Sequence, residues 1–196
     1  MVSTLLKPGQ DIIDSLTPER ADALHNAVGL SGEVGELCEC IFLGLADTDI
    51  SRPNFIEEIG DAEFYIEGLC QNYAIPSLAK PYPTGVFGDV VSDRSDLLIV
   101  LVKLGAHAGR VLDVIKKEVV YNRERDRDVV VRELAECHQA LVGLVAHYNH
   151  LTEDKITYPE VHAANYEKLS ERYEEMTYSD EAAQARRDKT DEASAQ

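Results

Sequence analysis

The sequence predicts an all-α protein, a helical bundle of about five helices in which a helix hairpin recurs in degenerate form. Three observations predict it. Apolar residues recur at spacings of three and four over long stretches, helix-start signals stand ahead of those stretches, and no segment sustains the apolar–polar alternation of a half-buried strand.

Residues 1–16 read as a lead-in with an apolar patch at Leu5, Ile12, Ile13 and Leu16. Thr17-Pro18-Glu19 opens the first long helix, with Thr as cap, Pro at the first helical position and an acid in the first turn. Its expected core stripe is Leu24, Val28, Val34, Leu37, Ile41 and Leu45. Gly29, Gly32 and Gly35 inside it cost about 1 kcal/mol each relative to Ala, which points to close approach by a neighbouring helix or a ligand. Asn54 followed by Glu57 resembles a capping box, expected to open a second helix to about Tyr73 with Phe55, Ile59, Ala62, Ile66 and Leu69 facing inward. A connection over 76–92, broken by prolines and glycines, has the length of a lid, a binding loop or a linker. Ser92 or Asp93 caps a third helix to about Val120, a fourth spans about Asp128 to Asn149, and Thr157-Tyr-Pro159-Glu160 opens a fifth to about Glu175. One domain over 1–176 is expected, with 177–196 a polar, disordered tail.

The formal charge of −17 excludes nucleic acid and anionic membranes as partners, since both need basic surface. It is also a puzzle for any anionic ligand, and a bound divalent cation would resolve it. No apolar run reaches the length of a membrane span, and no basic-then-apolar leader opens the chain, so a cytoplasmic protein is expected. Cys38, Cys40, Cys70 and Cys137 lack metal or redox spacing and read as reduced thiols.

The acids are distributed unevenly. From Ala21 to Ala79 the only Lys or Arg is Arg52, against eleven Asp and Glu, so the usual helix-surface ion pairs are missing. Within this stretch Glu33 and Glu36 stand three apart, as do Glu58 and Asp61, each pair on one helix face. Two carboxylates ~5.5 Å apart repel by about 3 kcal/mol at an effective dielectric of 20, so gathering four requires an outside cation or raised pKa values. Oxygen donors without His or Cys at ligand spacing point to Mg²⁺ or Mn²⁺.

The segment from Gly29 to Ile41 aligns with that from Lys103 to Ile115, placing His107 and Arg110 where the first hairpin has Glu33 and Glu36. Glu58 and Asp61 then fall near Glu133 and Glu136. One half would hold metal while the other, with Lys116 and Lys117 added, supplies positive charge to an anion.

The run Gly29-Leu-Ser-Gly32-Glu33-Val-Gly35-Glu36, followed after a spacer by Glu58-Ile-Gly-Asp61, resembles the MazG-like all-α nucleoside triphosphate pyrophosphohydrolases. So does the later Asn165, Lys168, Leu169, Arg172, Tyr173 pattern, and the likeness covers about residues 20–175. The resemblance implies hydrolysis of a (d)NTP to (d)NMP and diphosphate by a homo-oligomer, a dimer or tetramer. It implies that Glu33, Glu36, Glu58 and Asp61 ligate two or more Mg²⁺ or Mn²⁺ ions, with Glu36, then Glu33, as general base. It also implies that Asn165, Lys168, Arg172 and Tyr173 meet the phosphates or sugar, that Lys116 and Lys117 correspond to a family Lys pair, and that His25 touches base or sugar. The first hairpin lacks the Lys pair, Phe64-Tyr65 stands where one aromatic is usual, and the 76–92 connection is long, departures that bear on substrate choice. A purine deoxynucleotide such as dGTP is the expected substrate. A dUTPase- or dCTPase-type pyrimidine hydrolase and a non-catalytic binding or assembly bundle are the alternatives. A di-iron carboxylate bundle would need two Glu-x-x-His motifs, and a P-loop nucleotidase its Gly-x₄-Gly-Lys signature; the sequence has neither.

Overall fold

Two long antiparallel helix hairpins, laid side by side, carry most of the core in the computed structural model, which describes residues 7–47, 49–78, 93–173 and 177–185. The elements are α1 (Gly9–Asp14), α2 (Pro18–Asp47), α3 (Arg52–Asn72), α4 (Arg94–Tyr121), α5 (Arg127–Leu151), α6 (Tyr158–Arg172) and α7 (Asp180–Ala185). Among the described residues there is no strand, so the all-α expectation holds. The two helices beyond the expected five are α1 and α7, each six residues long.

α2 pairs with α3 and α4 with α5; α2 also packs on α4, and α6 lies on α3. Ends are tied by polar contacts. Asn26 Nδ2 donates to Asn72 Oδ1 at 2.8 Å, joining the start of α2 to the end of α3. Arg94 Nη1 donates to the Leu45 carbonyl at 3.3 Å, and Ser15 Oγ to that of Val119 at 3.3 Å, so α2 and α4 also run antiparallel. The stripe buried on α2 is Ala23, Ala27, Leu30, Val34, Leu37 and Ile41. Val28, expected inside, is 55% exposed, while Leu24 and Leu45 are only partly buried. Small residues at 23 and 27 let the first half of α2 sit close to its neighbours, which turns Val28 outward. The five inward positions expected on α3 are all buried.

α3 begins at Arg52 with Ser51 as cap and no side-chain cap bond, not at an Asn54 capping box. Pro53 supplies the helical φ in the first turn and lacks one N–H that would need capping. Arg52 is held from the other side by ion pairs to Asp154 (2.9 Å) and Glu160. The caps at Asp93 and Thr157 form reciprocal boxes with Asp96 and Glu160. α6 stops at Arg172, short of the expected Glu175, and Tyr173 is extended.

The tail expected to be disordered over 177–196 contains α7. Ser179 Oγ accepts from Ala182 N at 3.1 Å, and Asp180 and Glu181 sit in the first turn, where acids favour a helix start. Residues 186–196 lie outside the described residues, as do Leu5 of the lead-in patch and most of the 76–92 connection. Of that patch, Ile12 packs against the core, whereas Ile13 and Leu16 are exposed.

Candidate functional site

Burial of Leu30, Val34 and Leu37 on α2, and of Ile59, Ala62 and Ile66 on α3, fixes which way the acids point. Glu33 and Glu36 flank the α2 stripe, and Glu58 and Asp61 flank that of α3. One carboxylate oxygen each from Glu33, Glu36 and Glu58 lies within 4.8 Å of the others. Glu58 is 8% exposed, and its Oε2 is buried without a hydrogen-bond partner. Burial first, then the charges of Glu36 and Glu33, push the Glu58 pKa up to about 8. Burial, then Asp61 and Glu36, push that of Glu33 up to about 7. Both shifts run upward because burial and the neighbouring acids oppose ionisation of each carboxyl.

Asp61, the fourth acid of the sequence pattern, is engaged differently. It accepts from Asn165 Nδ2 at 2.6 Å and pairs with Lys168 Nζ, which also donates to Glu57 Oε1 at 3.2 Å. α6 thus docks on α3 through this acid. The three carboxylates left beside it, with one orphaned buried oxygen, suit a hard divalent cation: an all-oxygen donor set and a desolvated charge in need of neutralisation.

Glu33, Glu36, Asp61, His25, Arg172 and Tyr173, all singled out from the sequence, line one cleft of about 560 Å³. Lys116 and Lys117 are not brought there. They pair with Asp113 at 2.6 and 2.5 Å, and its carboxyl is held down at about 2 by their hydrogen bonds. On the second hairpin His107 Nδ1 lies 2.7 Å from the buried Glu133, with Arg110 at 3.6 Å and Arg132 at 2.9 Å from the same carboxylate, both arginines remaining largely exposed.

Glu57, Phe64, Tyr65, Leu169, Tyr178 and Ala183 complete the cleft. Glu57 stands one helical turn before Asp61, a signal readable in the sequence; Tyr178 lies beyond the motif and gives none. Tyr65 forms part of the wall because Gly29 has no side chain. A Cβ at position 29 would lie 2.3 Å from the Tyr65 ring. Gly68 makes the reciprocal allowance on α3, where a Cβ would lie 2.6 Å from Asn26 Oδ1. Gly32 and Gly35 have nothing within 4 Å, so no neighbouring helix accounts for them. Cys38 and Cys40 are partly buried, and all four cysteines are free thiols.

Among the described residues no helix is long and apolar enough to cross a membrane. Comparison with protein-family models, with curated proteins and with solved structures finds no match to this chain.

Proposed function

We propose that the chain is a metal-dependent nucleoside triphosphate diphosphohydrolase, converting a (d)NTP and water to (d)NMP and diphosphate. The observation that carries the reading is the convergence of Glu33, Glu36 and Glu58, the last with a buried, unpartnered carboxylate oxygen, beside a cleft that Glu33, Glu36 and Arg172 line. These three acids would hold Mg²⁺ or Mn²⁺, with Asp61 as a further ligand if Lys168 releases it. When bound, such ions neutralise polyphosphate charge and lower the pKa of a coordinated water.

The chain's own side chains have defined tasks in this reading. Arg172 offers a planar fork of donors to phosphate oxygens. Lys168 and Asn165 position Asp61 and the adjoining wall. His25, Phe64 and Tyr65 present rings to the nucleoside end of the cleft. The family likeness puts Glu36 first as general base. Glu33, the second choice, stands beside it on the same cleft. A homo-oligomeric, cytoplasmic enzyme belongs to the same proposal.

The test is to incubate the protein with each NTP and dNTP and excess Mg²⁺ or Mn²⁺, and to identify the products. Diphosphate and the monophosphate are expected, with turnover lost in Glu36→Gln. Stepwise orthophosphate release, or no turnover of any nucleotide, would overturn the reading.

A further inference from the structure

We infer that a second cavity, behind His25 and Phe64, receives the nucleobase and selects bases that carry an exocyclic amine. This inference rests on the cleft being a nucleotide site. The cavity, of about 320 Å³, lies between α2 and α3 and is lined by Asp22, Asn26, Glu67 and Asn72 among others. His25 and Phe64 line both it and the acid cleft, so the two are joined.

The spacing along α2 suits one ligand spanning both. His25 and Asn26 precede Glu33 by seven to eight residues, about 11–12 Å of helix at 1.5 Å per residue. That is comparable to the reach from an α-phosphate held at the acids, across a sugar, to the far edge of a base. Phe64 is 48% exposed at the junction and meets Tyr65 edge-on at 5.4 Å, which leaves a ring face for a base to stack on.

Polarity then decides which bases fit. Asp22 and Glu67 are acceptors only when ionised, and the described lining holds no Lys or Arg. Asn26 and Asn72 are already bonded to each other at 2.8 Å, which spends one donor and one acceptor of the pair. Gln71 and the remaining amide groups offer both donors and acceptors, so the bias of the wall comes from its two carboxylates, whose negative charge favours donors on the ligand. The amino groups of adenine, cytosine and guanine supply them, whereas uracil and thymine offer a single ring N–H flanked by two carbonyl oxygens that carboxylates repel.

The test is calorimetric binding of dAMP, dCMP, dGMP, dTMP and dUMP, with excess Mg²⁺, to the wild type, to Glu67→Gln and to Asp22→Asn. Asp22 is exposed, so its variant serves should Glu67→Gln fail to fold. At least one amine-bearing nucleotide should bind about fivefold or more tighter than dTMP and dUMP, the discrimination that one good base-edge contact provides. That ratio should shrink in each folded variant. Equal binding of all five, no binding of any, or a ratio unchanged in both variants would overturn the inference. Selective binding without turnover of any triphosphate would instead overturn the hydrolase reading and support the base site. Turnover of all dNTPs with equal kcat/KM would do the reverse.

Discussion

Replacing Glu58 by Gln removes a buried charge while keeping the shape of the side chain. In the wild type its pKa stands at about 8 against an ordinary value of 4.5, because burial and then Glu36 and Glu33 oppose ionisation. The folded protein therefore keeps a proton that the unfolded chain releases. The stability this group contributes is whole below about pH 4.5 and is lost progressively as the pH rises through about 8. At about 1.4 kcal/mol per pH unit the full loss would be about 5 kcal/mol. Glu58 and Glu33 titrate as a coupled pair, so only about half, roughly 2–3 kcal/mol, is expected from Glu58 alone. Gln never ionises. Glu58→Gln should thus exceed the wild type by roughly 2–3 kcal/mol near pH ~8.5 and nearly match it near pH ~5, a Tm gain at the higher pH of about 5–10 °C for a chain of this length. Thermal unfolding followed by circular dichroism in chelator measures both points. Added Mn²⁺ should then raise the wild-type Tm more than that of the variant, because a ligand stabilises only the state that binds it. A variant with the same pH dependence as the wild type, or one less stable near pH ~8.5, would refute the reasoning.

Other perturbations test the surroundings. Gly29→Ala should destabilise by about 1–2 kcal/mol net, overpacking against Tyr65 outweighing the gain in helix propensity, whereas Gly32→Ala should stabilise the metal-free protein by about 0.5–1 kcal/mol; urea midpoints distinguish the two. Tyr73→Phe removes the hydroxyl that donates to the buried Glu118 at 2.8 Å, and the same unfolding assay should show a loss of about 1–2 kcal/mol. Mutating Lys116 and Lys117 together to Ala should leave nucleotide turnover within about twofold, since exposed i,i+3 and i,i+4 pairs matter little elsewhere and neither lysine lines the cleft. A larger drop would show that the lysines reach the substrate.

Much of this architecture is legible in local pattern. The long helices follow from apolar spacing and from caps such as Asp93 and Thr157, because those signals act within a few residues. Glu33 with Glu36, and Glu58 with Asp61, are likewise placed on single faces by helical period alone. Errors arise where distant parts decide. Val28 fits a helical stripe, but the approach of α3 and α4 determines which stripe is buried. The α3 start hinges on Pro53 and on an arginine anchored from the start of α6. The bonds from Asn165 and Lys168 to Asp61 join positions more than a hundred residues apart, beyond any periodicity. By contrast, Asp113 standing three and four residues before Lys116 and Lys117 is a local ion-pair signal that the sequence does contain.

The hold of Lys168 on Asp61 makes α6 a competitor for whatever cation seeks that acid. The Lys168 side chain is 13% exposed, so it acts as a largely buried, built-in counter-ion to Asp61. An incoming metal that claimed Asp61 would have to displace it, and by linkage whatever strengthens the α6 grip must weaken the metal by the same free energy. In the resting protein the lysine thus already supplies the positive charge that Asp61 would otherwise draw from a metal.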